Sequence, residues 1–124
     1  MKLAVVGSRE WPQAWRIEEY LKGWRGHEIV SGGARGVDGI AIRAAKRYGI
    51  DTKVFPADWE THGKRAGFLR NQQIVDYCDE LVAFWDGESR GTADSIAKAK
   101  AAGKPVAVYN LKTGEWELTK GANS

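Results

Sequence analysis

The sequence predicts an α/β fold, a Rossmann-like three-layer sandwich in which helices cover both faces of a mostly parallel sheet. Three observations carry this. Five short β-prone runs alternate with four helical stripes, and parallel neighbours need crossover connections of that kind. The first run, Leu3 to Val6, is continuously apolar, as in a strand buried on both faces. The 15 glycines among 124 residues fall mostly at the ends of elements, where they punctuate the chain.

Leu3 to Val6 leads straight into Gly7-Ser8-Arg9, and this apolar run is far too short for the core of a secretory leader. Pro12 suits the first turn of a helix, in which Ala14, Ile17, Leu21 and Trp24 recur at helical spacing before an exit at Gly26. His27 to Val30 is the second strand and runs into Ser31-Gly32-Gly33-Ala34-Arg35-Gly36. Val37, Ile40, Ala41, Ala44, Ala45 and Tyr48 then line one helical stripe, which Gly49 ends. Thr52 to Phe55 is the third strand, closed by Pro56, and Ala57 to Gly63 reads as a loop carrying Asp58, Trp59 and His62.

A helix from about Lys64 to Cys78 follows, then a strand from Leu81 to Trp85 and the loop Asp86 to Thr92. An alanine-rich helix, the break Gly103-Lys104-Pro105 and a strand from Val106 to Tyr109 complete a core of about residues 2–109. The extension 110–124 holds a turn at Thr113-Gly114, a weak sixth strand around Trp116 to Leu118, and a polar end expected to fray. A chain of 124 residues leaves no room for two independent cores, so one domain is expected over 1–124.

Nineteen Lys and Arg against 16 Asp and Glu give a formal charge of +3, which permits anionic partners without requiring nucleic acid. No apolar run approaches the ~20 residues of a membrane span. Cys78 is the only cysteine, so no intrachain disulfide is possible, and a cytoplasmic protein without a membrane partner is expected. With His27, His62 and Cys78 at unrelated positions, neither a zinc site nor another metal or cofactor is expected. A Walker loop and a Gly-x-Gly-x-x-Gly fingerprint are both missing, which weakens ordinary ATPase and dehydrogenase readings. No serine sits in a nucleophile elbow, and Cys78 has no evident activating base.

Right-handed crossovers place every strand-to-helix loop along one edge of the sheet, where ligands bind near the reversal of strand order. Gly7-Ser8-Arg9, Ser31 to Gly36 and Asp86 to Thr92 therefore converge there, each leading toward a helix N-terminus whose amides and dipole favour an anion. Arg9, Arg35 and Arg90 lie on these loops, and Arg70 and Asn71 reach the same crevice from the third helix. The candidate ligand-binding set is Gly7, Ser8, Arg9, Ser31, Gly32, Gly33, Arg35, Gly36, Asp38, Asn71, Asp86, Gly91 and Thr92. Asp38 either serves its own helix start or accepts from a ribose hydroxyl; Thr92 either caps its helix or meets a phosphate. Trp11, Trp59 and Trp85 lie near the rim, where stacking on a base competes with ordinary packing.

The segments Ser31 to Asp38, Arg70-Asn71 and Gly91-Thr92 together resemble the SMF/DprA and Lonely Guy superfamily, SLOG, over about residues 2–109. Gly7 to Trp11, Phe55 to Trp59, Ala66-Gly67 and Ala83 to Gly87 resemble its small, single-domain YspA-like branch. The resemblance implies a pocket for nucleotides or nucleotide-derived phosphoribosyl ligands, in a sensor or processor of phage-associated or bacterial conflict settings. Lonely Guy phosphoribohydrolases pair an arginine on the third helix with a glutamate three residues after a Gly-Thr pair. Arg70 matches the arginine, but Ser95 stands at the glutamate position with Asp94 beside it, about 100° away around a helix. Arg70 and Asp94 are thus the catalytic candidates of that reading, with the acid displaced. DprA-like relatives imply single-stranded DNA, against which the charge of +3 is modest. Binding ranks first, hydrolysis second and DNA third, and the resemblance also implies a homodimer.

Overall fold

The computed structural model describes residues 1–121. Its strands are β1 Lys2–Gly7, β2 Glu28–Ser31, β3 Asp51–Val54, β4 Glu80–Trp85, β5 Val106–Asn110 and β6 Glu115–Thr119. Its helices are α1 Ala14–Leu21, α2 Val37–Arg47, α3 Trp59–His62, α4 Ala66–Tyr77 and α5 Arg90–Ala101. β1 and β4 occupy the centre because they are apolar in both directions. Leu3, Val5, Val82 and Phe84 pack with Ile17 and Leu21 of α1 and with Val37, Ala41, Ala44 and Ala45 of α2. Ala4, Val6, Leu81 and Ala83 pack on the other face with Ile74 and Val75 of α4 and Ile96 and Ala99 of α5. Cys78 lies in this second layer, where burial pushes its thiol up, so it acts as a small hydrophobe.

The strand order is β3-β2-β1-β4-β5-β6, parallel from β3 through β5 with β6 antiparallel to β5. This is the expected α/β, Rossmann-like fold with a six-stranded, mostly parallel sheet. Strands are added outward from β1 to β3, and the chain then crosses back to lay β4 against the other side of β1. The loops after β1 and β4 consequently flank a crevice at the switch point. The weak sixth strand is longer than Trp116 to Leu118. It pairs from Val106↔Thr119 to Asn110↔Glu115 after a tight turn closed by Gly114 N–H to Asn110 O (2.8 Å).

Three local expectations are corrected. Pro12 lies outside α1, which starts at Ala14 behind Gln13; the Trp11 indole donates to Gln13 O (3.1 Å) and packs edge-on against Phe84. Trp24 belongs to a 3-10 turn, Lys22–Trp24, rather than to the α1 stripe. The expected loop Ala57 to Gly63 contains α3, since the Asp58 carboxylate accepts from Thr61 N–H (3.2 Å) and closes a single turn; a 3-10 turn, Gly63–Arg65, joins it to α4. The fraying expected of the polar end falls in part on residues 122–124, outside the described residues. Among the described residues no helix is long and apolar enough to cross a membrane.

Candidate functional site

β1 ends at Gly7, where a Cβ would strike the Phe84 carbonyl and the Val37 side chain, so only glycine lets β1, β4 and α2 meet here. Ser8 is 1% exposed and fully engaged. Its N–H donates to Phe84 O (3.1 Å), its carbonyl accepts from Val37 N–H (3.2 Å), and its Oγ accepts from Asp86 N–H (2.9 Å). The loops after β1, β2 and β4 are thereby tied at one residue.

On the β2 side, Ser31 Oγ accepts from Gly33 N–H (3.3 Å), and Asp38, in the first turn of α2, accepts from Ala34 N–H (3.2 Å). Burial raises the Asp38 carboxyl to about 6, although the Ala34 amide, the Arg70 charge and the Gly32 amide all pull the other way. Arg70 and Asn71 of α4 span the crevice. Arg70 Nη1 donates to Gly32 O (2.9 Å) and its Nε to Asn71 Oδ1 (3.2 Å), while Asn71 Nδ2 donates to Gly91 O (3.3 Å) and Asp94 Oδ2 (3.2 Å).

The β4 loop is built around Asp86, whose Oδ1 accepts from Glu88 and Ser89 N–H, both at 2.8 Å. Burial would raise this carboxyl, but the Ser89 and Glu88 amides and the Ser8 hydroxyl outweigh it and hold it below the usual carboxylate value. Ser89, not Thr92, caps α5: its Oγ accepts from Thr92 N–H (3.4 Å) and lies 3.1 Å from Thr92 Oγ1. Ser89→Ala is expected to cost about 1 kcal/mol, read as a lower urea midpoint at unchanged slope.

The crevice is a cavity of about 450 Å³, and Gly7, Arg9, Asp38, Arg70, Asn71, Asp86, Gly91 and Thr92 all reach its wall. A cavity of about 500 Å³ adjoins it through Arg9, Ala34, Trp59 and Arg70, and takes in Gly32, Gly33 and Arg35. Of the other candidates, Ser8 and Ser31 are buried, and Gly36 is the half-buried residue at the start of α2. Asp94 stays outside, paired with Lys98 and Asn71, and Ser95 takes its place in the wall. Arg70 and Asp94 are linked through Asn71, which accepts from Arg70 Nε and donates to Asp94 Oδ2, both at 3.2 Å, and of the two Arg70 is the one on the cavity wall.

Lys64, Phe68 and Ser89 also line the first cavity and were not singled out from sequence. Ser89 carried a legible signal, a serine three residues before a threonine at a helix start. Lys64 and Phe68 belong to the α3–α4 junction, whose path depends on the Asp58 cap. His27 stands far from the crevice, with its ring 5.1 Å from that of Trp24.

Residues 1–62 match the YspA, cpYpsA-related SLOG family. Over 122 aligned residues the chain is 36% identical to the Gene 61 protein of Mycobacterium phage D29, covering 90% of this chain and 98% of that one. The chain belongs to the YspA, cpYpsA-related SLOG family. This SLOG protein shares its fold with DNA processing protein A (DprA) from Streptococcus pneumoniae, at a TM-score of 0.76 and 24% identity over 86% of the present chain. It spans only 49% of that longer chain. Helicobacter pylori DNA processing protein A, known for a unique single-stranded DNA binding mode, aligns with 99% of this chain and 70% of its own, at a TM-score of 0.63 and 20% identity. At such identities the likeness to both is one of fold.

Proposed function

We propose that this SLOG protein binds a nucleotide or related phosphoribosyl compound in the crevice beyond β1 and β4, as a sensor or processor. The observation that carries this is the composition of the 450 Å³ cavity wall, which joins the first turns of α2 and α5 with Arg9 and Arg70. The volume lies within the usual range for small-molecule sites. Helix N-termini offer amides and a favourable dipole to phosphate, and guanidinium groups add a planar fork of donors. Arg9 and Arg35 are exposed, and among the described residues neither is in an ion pair. In this reading Gly33 to Gly36 and Gly91-Thr92 hold phosphate, Arg35 and Arg70 neutralise it, and Asp38 or Asp86 engages a ribose.

A thermal-shift and calorimetric screen with nucleoside mono-, di- and triphosphates, ADP-ribose, NAD and short single-stranded DNA tests it. One small nucleotide is expected to raise the melting temperature by several degrees, since ligand at a hundred times its Kd adds about 2.7 kcal/mol. Arg9→Ala and Arg35→Ala should each weaken that ligand about tenfold without loss of stability, the scale of one charge-assisted hydrogen bond. Absence of any shift with small nucleotides sinks the proposal.

Single-stranded DNA is the second reading, favoured by the trough that the two adjoining cavities form. It predicts affinity that grows with oligonucleotide length and falls steeply with salt. Base release of the Lonely Guy kind has less support, because Asp94 is turned to Lys98 and Ser95 faces the cavity. No free base should appear from any monophosphate.

A further inference from the structure

The geometry points to Trp59 as a stacking platform for a nucleobase, so that the site takes a base-bearing nucleotide in preference to a bare phosphoribosyl compound. This rests on the nucleotide reading and narrows it. The chain has six tryptophans, and five of them have their rings or indole N–H engaged. Trp11 and Trp85 donate to the carbonyls of Gln13 and Ser89, both at 3.1 Å. Trp15 lies under the Arg16 guanidinium at 4.4 Å, Trp24 packs on His27, and Trp116 stacks on Tyr20 at 5.4 Å. Among the described residues Trp59 has no such hydrogen bond, ring or cation partner, and it is 54% exposed.

One exposed indole on a surface needs no explanation. Its place does. Trp59 is on the wall that both cavities share, and Phe68 of α4, 48% exposed, lines the 450 Å³ cavity with it. The indole is also held rather than trailing. The Asp58 cap closes the turn that carries it, and the ring lies against α4 at Gly67, where a Cβ would sit at ordinary contact distance, 3.5 Å from Trp59 Cη2. The cavity wall thus carries aromatic surface from Trp59 and Phe68 together with the polar first turns of α2 and α5 and the arginines. A nucleotide offers a partner for each, a flat base and a phosphate. An aromatic face accepts any base and is worth 1–3 kcal/mol by truncation, about 5- to 150-fold in Kd.

The shared chemistry, a base joined to a phosphorylated sugar, occurs in free nucleotides and in single strands, and the test separates them. Wild type, Trp59→Phe and Trp59→Ala are titrated by calorimetry with the four ribonucleoside 5′-monophosphates and triphosphates, with ribose 5-phosphate, and with an oligothymidylate of about twelve nucleotides. The expected result has three parts: nucleotides bind wild type at least about tenfold better than ribose 5-phosphate, Trp59→Ala removes most of that advantage, and Trp59→Phe keeps most of it. Ribose 5-phosphate should be indifferent to the substitution, and the half-exposed position leaves thermal stability close to wild type. Loss in Trp59→Ala of binding seen only with oligothymidylate keeps the platform, assigns the base to a single strand and removes the nucleotide reading. Equal binding of nucleotide and ribose 5-phosphate, or a nucleotide advantage that survives in Trp59→Ala, overturns the platform while the nucleotide reading stands. Failure of every probe on wild type overturns both.

Discussion

Gly36→Ala is expected to lower the melting temperature by about 10 °C or more. Gly36 has φ 74° and ψ −126°, a conformation that side chains rarely adopt and that carries roughly 1–3 kcal/mol of strain. A Cβ would also land on the carbonyls of Ser8 and Arg9, backbone atoms that cannot retreat without losing the Val37 N–H to Ser8 O bond of 3.2 Å. Together these amount to about 3–5 kcal/mol, and a domain of this size loses roughly 3–6 °C per kcal/mol. Gly23→Ala is the control, because nothing lies within 4 Å of the Cβ it would gain. A Gly36→Ala melting point within about 3 °C of wild type would show that the loops after β1 and β2 are not locked together in this way.

Asp38→Asn should change how stability depends on pH. The folded Asp38 carboxyl titrates at about 6 against an ordinary 3.8, so between these values the folded chain holds a proton that the unfolded chain has released. Stability from this group is complete below 3.8 and is lost as the pH rises through about 6, a change on the order of 3 kcal/mol for a buried group. Asparagine has no such titration and keeps an oxygen for the Ala34 amide. Urea unfolding of both proteins from pH 3.5 to 7.5 should therefore show the wild type losing ground to Asp38→Asn across that window. Asp86 works with the opposite sign: its lowered carboxyl contributes stability above the ordinary value and loses it as the pH falls through its folded value. A wild-type minus Asp38→Asn difference that is flat from pH 4 to 7 would mean that the carboxyl is solvated in solution.

The convergence of the candidate residues on one sheet edge is legible in the sequence, and what is not legible shares one character. Arg9, Arg35, Arg70, Asn71 and Asp86 were drawn to one sheet edge by crossover handedness, and the cavity walls contain them. Ser8 and Ser31 were grouped with them by position, yet both side chains are buried and spent on neighbouring amides. A hydroxyl in a glycine loop looks the same in sequence whether it faces a ligand or a backbone N–H. Thr92 and Ser89 likewise differ as caps by which side chain reaches which amide, and α3 is capped by an Asp58 bond to the Thr61 amide.

The succession of strands and helices, and the edge where the glycine loops gather, can be read from the amino-acid sequence. Apolar periodicity, glycine punctuation and the hand of a crossover act over a few residues and leave their mark locally. The packed chain is needed to see that strand order reverses between β1 and β4, that Arg70 reaches the Gly32 carbonyl across 38 residues, that Asp38 is buried, and that Trp59 stands open on the cavity wall. Each of these depends on which faces pack together and on how much water is left between them, which is settled by contacts among segments far apart in the chain.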